Sequence, residues 1–356
     1  MNILFVCTSK IWGGNEKWCS LAAHELAKAH QVFVVYRSKN VGDRFSVSKK
    51  QFFFAGRVDP FGLYRLAKYI RENEIDIVVS THRKFYMMGA LAARLAGSSY
   101  FLRCGIVWEI PDSGIYRYFF QNYVHGIIVN ARPIREKLLQ SGFIDPEKIH
   151  LIYNGLDTEK LENSCLEVRE KPYPFTVVSS GQLISRKGFD FLIKAFASFI
   201  IDHPGVNAGL VIMGEGKLER QLKQLTAELG IQDQVFFTGF LDDPYPLLCT
   251  ADLFVSASDN EGISNALLEA MYLKIPVITT PAGGAGDIID HGNNGFLVDH
   301  GHKKKLVDLL RLACLEQKNI LPEIALAGQQ AVLDRFSASD MALAMEKIFD
   351  SRHERG

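Results

Sequence analysis

Two carboxylates in a Glu-x7-Glu spacing, Glu261 and Glu269, lie where an apolar run, Leu253–Val255, gives way to a polar turn and then a helix. The free N–H groups of a helix start, with the helix dipole, make an anion site. Glu261 falls at that start, where a lone carboxylate can also serve as a cap. Glu269 lies two turns further on, in a helix that is otherwise apolar on its inner side. A carboxylate there is costly unless donors meet it, and ribose or sugar hydroxyls are suitable donors. A cap plus a surface glutamate is the plainer alternative.

Other loops carry chemistry of the same kind. Gly181-Gln182-Leu183-Ile184-Ser185-Arg186-Lys187-Gly188 follows a strand and opens a helix, and its two cations suit a diphosphate. Met213-Gly214-Glu215-Gly216 ends another strand, with glycines that let a ring or ribose approach the backbone. Pro281-Ala282-Gly283-Gly284 is a further close-approach loop. Trp12-Gly13-Gly14-Asn15 links the first strand to the first helix, where a tight turn alone would also call for glycine.

The elements that must position these loops are short β-branched runs alternating with helical periodicity. That pattern means parallel sheets covered by helices. In the first half the strand runs are Ile3–Cys7, Val32–Tyr36, Ile75–Ser80, Ser99–Leu102, Gly126–Val129 and Ile149–Ile152, with helices such as Asn15–Ala29, Pro60–Glu72 and Phe85–Ala96. The polar, weakly periodic run Gly155–Pro174 reads as a linker. A second set follows: strands Phe175–Ser179, Ala208–Met213, Gln234–Phe237, Leu253–Val255, Pro276–Thr279 and Gly295–Val298. Its helices are Gly188–Ile201, Leu218–Leu229, Ile263–Leu273 and Lys303–Glu316. The expected fold is α/β, with two doubly wound domains at 1–163 and 172–336. Their ligand cleft is expected outside the carboxyl ends of both sheets. A last helix over Ser337–Phe349, with Met341, Ala344 and Ile348 on one stripe, is expected to pack back on the first domain.

Composition narrows the function. The 356 residues are 47% hydrophobic and 22% charged, enough for sizeable cores. Formal net charge is zero, yet the chain up to Asn163 holds 22 Lys+Arg against 15 Asp+Glu, and the remainder 18 against 25. A basic first half suits a phosphorylated acceptor or an anionic membrane surface, unless the imbalance is only a matter of solvated faces. Neutral charge and the lack of a recognition module argue against nucleic-acid binding. Trp12-Gly13-Gly14-Asn15-Glu16 does not match the G-x-G-x-x-G of a nicotinamide dehydrogenase. The cysteines at 7, 19, 104, 165, 249 and 314 are scattered without a C-x-x-C pair. That argues against a zinc site or a disulfide framework and points to a reducing, cytoplasmic setting. The first residues read as a strand and not as a signal peptide. No apolar run is long enough to span a bilayer, so any membrane contact would be peripheral.

Taken together, these loops resemble the retaining glycosyltransferases of family 4, with the GT-B fold of two Rossmann-like domains facing across a cleft. The resemblance covers nearly the whole chain. It rests on Glu261-x7-Glu269, Ile275-Pro276-Val277-Ile278, Gly292-Asn293-Asn294-Gly295-Phe296-Leu297-Val298, Arg186-Lys187-Gly188 and Gly13-Gly14. It implies that Glu261 holds donor-sugar hydroxyls and Glu269 the ribose hydroxyls. Lys187, helped by Arg186, would bind the diphosphate. Backbone N–H groups at Asn265, Ala266 and Leu267 would meet sugar or phosphates. Gly13, Gly14, Gly181, Gln182 and Gly214 would border the donor. Two positions depart from the family. Gln182 stands where an Arg is usual, and Cys104 where a His often precedes the glycine matching Gly105. That His contacts the donor sugar in the family, so either Arg103 or His82 takes over or the donor differs; both residues are candidates for the acceptor side.

The resemblance further implies sugar transfer with retention, from a nucleotide-sugar donor and without a required metal or other cofactor. A UDP-linked hexose is the family's usual donor. With no carboxylate placed as a nucleophile, front-side departure and attack is the expected course, with Lys187 and Arg186 stabilising the leaving diphosphate. The acceptor would be a glycan or glycolipid of cell-surface polysaccharide or lipopolysaccharide assembly, met at the inner membrane face. Arg57, Arg83, Lys84, Arg117 and Arg132, with the aromatic runs Phe85–Met88 and Tyr116–Phe120, are candidates to receive it. The competing expectations are a sugar-nucleotide 2-epimerase and a non-catalytic nucleotide-sugar-binding scaffold.

Overall fold

The structure, a computed structural model, describes residues 1–56, 59–166, 170–316 and 320–353. It divides into two compact units, Met1–Gly155 with Phe336–Gly356, and Leu156–Arg335. Arg57 lies outside the described residues.

The first unit runs β1 (Asn2–Cys7), α1 (Gly14–Leu26), β2 (Gln31–Tyr36), α2 (Lys39–Gly42), β3 (Ser48–Gln51), α3 (Pro60–Glu72), β4 (Ile77–Ser80), α4 (Tyr86–Ala96), β5 (Ser99–Cys104), α5 (Gly114–Asn122), β6 (Gly126–Val129), α6 (Arg132–Leu139) and β7 (Ile149–Leu151). The strands form one parallel sheet in the order β3-β2-β1-β4-β5-β6-β7. Central strands covered on both faces are apolar throughout, which is why β1, β4 and β6 read as continuous runs. The edge strand β3, Ser48-Lys49-Lys50-Gln51, is exposed along its length and was not expected from the sequence. An edge needs no apolar face, and its lysines discourage pairing with another chain. Local signals set the helix starts: Asp59 accepts from the Gly62 N–H at 2.8 Å, with Pro60 in the first turn of α3. The chain returns to this unit as α14 (Ala338–His353). Met341, Met345 and Phe349 of α14 pack with Trp18, Ala22 and Leu26 of α1 in one core.

The second unit runs α7 (Thr158–Ser164), β8 (Phe175–Ser180), α8 (Phe189–Asp202), β9 (Ala208–Met213), α9 (Glu219–Glu228), β10 (Val235–Gly239), α10 (Tyr245–Leu248), β11 (Leu253–Ser256), α11 (Asn265–Tyr272), β12 (Val277–Thr279), β13 (Phe296–Leu297), α12 (Lys303–Arg311) and α13 (Leu321–Leu333). Its parallel sheet has the order β10-β9-β8-β11-β12-β13. Phe191, Leu192, Phe196 and Phe199 of α8 and Leu306 and Leu310 of α12 fill its main core.

Two expectations are corrected here. The run expected as a linker holds α7, started by Asp157 accepting from the Lys160 N–H at 3.1 Å and anchored by buried Leu161. One buried leucine per short helix leaves too weak a period to see in the sequence. The absence of disulfides also fails at one pair. α7 packs on α10, and Cys165 and Cys249, each just past one of these helices, are joined with Cα atoms 6.0 Å apart. Residues 84 apart in sequence become neighbours only through that packing.

Candidate functional site

In an open parallel sheet, ligands bind beyond the carboxyl ends of the strands, at the point where the strand order reverses. In the second unit that point lies between β8 and β11. The two loops flanking it carry Arg186, Lys187 and Glu261.

The loop after β8 closes as a tight turn over Ser185–Lys187, ending at Gly188 with φ +64°. A side chain at Gly188 would place its Cβ 2.0 Å from the Ala257 carbonyl oxygen, so this position needs glycine twice over. The turn aims both cations at Glu261. Lys187 Nζ is ion-paired with Glu261 Oε1, and Arg186 lies 3.1 Å from the same oxygen. The Ser258 hydroxyl donates to Oε1 at 3.2 Å, and Arg186 also donates to the Asn260 carbonyl at 3.0 Å. Burial alone would push the Glu261 carboxyl up. Lys187 and Arg186, with hydrogen bonds from Lys187 and Ser258, outweigh burial and hold it below the usual carboxylate range. A small pocket here is lined by Ser258, Glu261, Gly262, Ser264, Leu267 and Thr280.

α11 begins at Asn265, a little later than the sequence suggested, so Glu261 precedes the helix and does not cap it. Ser264 holds the N-cap position with no side-chain cap bond, and Asn265, Ala266 and Leu267 form the first turn. Glu269 is 4% exposed, on the inner face of α11 and not at the surface. Gly214 stands against Gly181: a Cβ there would lie 2.1 Å from the Gly181 carbonyl oxygen. Its glycine is therefore demanded by the packing of two site loops. Lys187 in turn lies along Gly181, while Gln182 is exposed.

In the first unit the order reverses between β1 and β4. Gly13 is the N-cap of α1, and Gly14 its first residue. Asn15 spans the reversal by donating to the Thr81 carbonyl at 2.8 Å. Arg103 is buried. It donates to Asn15 Oδ1 and, at 3.1 Å, to Asn154 Oδ1, and its guanidinium lies 4.4 Å from the Trp18 ring. Burial lowers its pKa to about 10. Asn130 joins by donating to Asn154 Oδ1 at 3.1 Å. His82 is partly exposed just past β4, and its Nδ1 is buried without a hydrogen-bond partner. Burial, then Lys84, Arg83 and Arg37, lowers its pKa, so the neutral ring is favoured. Cys104 is buried, its thiol pushed up to about 11 by burial. Of the aromatic runs, Phe85, Tyr86, Phe119 and Phe120 are core, and Met87 and Tyr118 are exposed.

Sequence reasoning missed Asn15, Glu16, Asn130 and Asn154. Each follows a strand end or the glycine pair by one to three residues, and that position was the available signal. Glu16 is buried, and burial raises its pKa against hydrogen bonds from its own N–H, Asn15 and Ser9.

Comparison with known proteins agrees with this division. Residues 12–160 match the model of Glycosyltransferase Family 4, and residues 167–331 that of Glycosyl transferases group 1. The chain is 33% identical over 154 residues to an N-acetylgalactosamine-N,N'-diacetylbacillosaminyl-diphospho-undecaprenol 4-alpha-N-acetylgalactosaminyltransferase of Campylobacter jejuni, covering 43% of this chain and 40% of that protein. It is 28% identical over 227 residues to the lipopolysaccharide core biosynthesis glycosyltransferase LpsE of Rhizobium meliloti, covering 64% of each. The chain thus spans roughly half the length of the curated relatives it matches. The fold is that of Anabaena Alr3699/HepE, solved in complex with UDP and glucose: TM-score 0.83 at 21% identity, over 99% of this chain and 100% of that one. With both domain models matched in chain order on two parallel α/β sheets, the chain carries the paired domains of a GT-B glycosyltransferase of the group 1 and family 4 type.

Proposed function

We propose that this chain transfers a hexose from a nucleoside-diphosphate sugar, UDP-linked, to a glycan or lipid-linked glycan acceptor in surface polysaccharide or lipopolysaccharide assembly. The observation that carries the reading is the Lys187–Glu261–Arg186 cluster at the strand-order reversal of the second sheet. Relatives named for lipopolysaccharide and undecaprenol-linked glycans, and a neighbour solved with UDP and glucose, support the substrate classes.

Glu261 keeps two cations at one point before any substrate arrives. A diphosphate would then meet charge already in place, with little reorganisation at the moment of transfer. As the sugar–phosphate bond breaks, Lys187 and Arg186 stabilise the leaving oxygens. N–H groups at Asn265, Ala266 and Leu267 add dipolar donors. Glu261 positions sugar hydroxyls, and Glu269 binds the ribose. Departure and attack occur on one face of the sugar, so configuration is retained. The leaving phosphate takes the acceptor proton, and no metal is needed. Gly13, Gly14, Gly181, Gln182 and Gly214 border the donor. His82, neutral and with an unpartnered Nδ1, serves the acceptor side. Arg103, held by Asn15, Asn154 and Trp18, fixes the β1–α1 loop on that side. The enzyme works in the cytoplasm, against the inner membrane face.

The test is thermal stabilisation by a panel of nucleotides and nucleotide sugars without metal, on wild type and Glu269→Ala. A nucleotide at about 100 times its Kd should add about 2.7 kcal/mol to wild type and nothing to the variant. If no nucleotide shifts the melting point, the donor assignment fails. Release of free nucleotide only when acceptor is added separates transfer from epimerisation.

A further inference from the structure

We propose that Cys165 and Cys249 are a reversible redox site, opened by small thiols and closed by small disulfides, that latches α7 onto the second unit. The two residues cap the C-termini of α7 and α10, and their Cα atoms lie 6.0 Å apart, within the reach of a disulfide. Cys249 is exposed and Cys165 half-buried, so the bond is open to attack from solvent. Exposed disulfides are the labile ones, whereas structural ones resist reduction. Of the other cysteines, Cys7, Cys19 and Cys104 are buried and Cys314 is half-buried.

What the bond holds is local. The main core of the second unit draws no residue from α7 or α10. Leu161 is the buried residue of α7, and the Tyr272 hydroxyl of α11 donates to the Glu162 carboxylate on the same helix. Opening the bond therefore leaves the sheet in place and α7 held chiefly by one leucine and one phenol. A helix of seven residues does not stand without tertiary ties, so losing its terminal tether loosens it. α7 is also the first helix after Gly155, where the chain leaves the first unit. The latch thus fixes the segment by which the chain enters the second unit.

The opening step is a thiol–disulfide exchange. A thiolate of a small dithiol attacks the exposed Cys249 sulfur, the S–S bond breaks, and its electron pair leaves on Cys165. The Cys165 thiol then has an acceptor at hand in the Tyr245 carbonyl, 4.0 Å from its sulfur. The second thiol of the reductant displaces Cys249. The reductant ends as its own disulfide, and the two protons it gives up end on the two cysteines. Closure is the same exchange run backwards from a small disulfide. A reducing setting leaves α7 loose, and an oxidising one fastens it.

The test needs no turnover. The full chain is equilibrated in reduced or in oxidised dithiothreitol, quenched with acid, denatured and labelled with a maleimide. The reduced sample should carry two more labels, mapped to Cys165 and Cys249. Lys160 is exposed within α7, and native-state trypsin cleavage after it should run about tenfold or more faster on the reduced chain. Cys249→Ser and Cys165→Ser should each be cleaved at the reduced rate in both buffers and melt like reduced wild type. Equal label counts in the two buffers, a bond that opens only in denaturant, or equal cleavage after Lys160 in both states would overturn the proposal. A nucleotide panel that shifts the melting point of neither state would sink the transferase reading and leave the latch standing.

Discussion

Glu261 bears the most chemistry of any side chain described. Removing either partner of a buried ion pair leaves the other charge uncompensated. Glu261→Ala and Lys187→Ala should each lower turnover by about 100-fold or more while the fold persists, measured as initial rates beside circular dichroism. Near-normal rates in both would end the assignment. The pair also predicts a pH dependence. The folded pKa of Glu261 lies below its ordinary value of 4.5, so on acidification the unfolded chain takes up the proton first. Its stabilising contribution is complete above about 4.5 and is lost as pH falls through the folded value. In Lys187→Met that acid-side loss should shrink, as read from urea midpoints at stepped pH. Glu16 has the opposite sign. Burial raises its pKa, so its contribution is fullest below its ordinary value and declines as pH rises through the folded one. Glu16→Gln should therefore raise the melting temperature at neutral pH, with a gain that fades toward acid. A gain that does not change with pH would refute the buried-carboxylate account. Glu261 and Lys187 were readable from residue type and spacing. Glu16 was not singled out, because its burial depends on the strands around it.

At the scale of elements, the site rests on turns that admit few residues. Gly188→Ala combines a left-handed backbone with a clash against the Ala257 carbonyl. It should cost more than about 2 kcal/mol and displace Lys187. Gly301, with φ +89° and open space around it, is the control, and its Ala variant should cost only about 1 kcal/mol. Equal losses in urea unfolding would show that the clash is relieved. In the first unit, α14 supplies part of the core around α1. Phe349 is fully buried, with its ring 4.9 Å from that of Phe101. Phe349→Ala should cost about 3–5 kcal/mol, a size expected of a core residue and not of a dispensable tail. Most strands were visible as short continuous apolar runs and the long helices as period-3.6 patterns, and α3 matches its expected ends. β3 and α7 were not, because an exposed edge and a short one-leucine helix carry almost no periodic signal.

For the whole molecule, each sheet has its own reversal point and its own polar cluster at the carboxyl ends of its strands. The second unit gathers cations around a carboxylate and suits a diphosphate. The first gathers neutral amides around Arg103, near a histidine whose neutral form burial favours, and on the proposed reading it receives the acceptor. His82 provides a direct check at this scale. Its ring should titrate below the ordinary 6.5 by NMR in the intact chain, and a midpoint at or above that value would remove the basis for its acceptor-side role.

By itself the sequence determined the alternation of strand and helix, and with it two parallel α/β sheets whose loops carry the chemistry at one end of each. This follows because side-chain periodicity and glycine placement act locally, within a turn or two of backbone. Tertiary structure decided which distant loops meet. It set Arg186 and Lys187 on Glu261, closed Asn15 and Asn154 around Arg103, and joined Cys165 to Cys249. Those contacts depend on strand order and helix packing, and no local pattern encodes which loops a crossover will bring side by side.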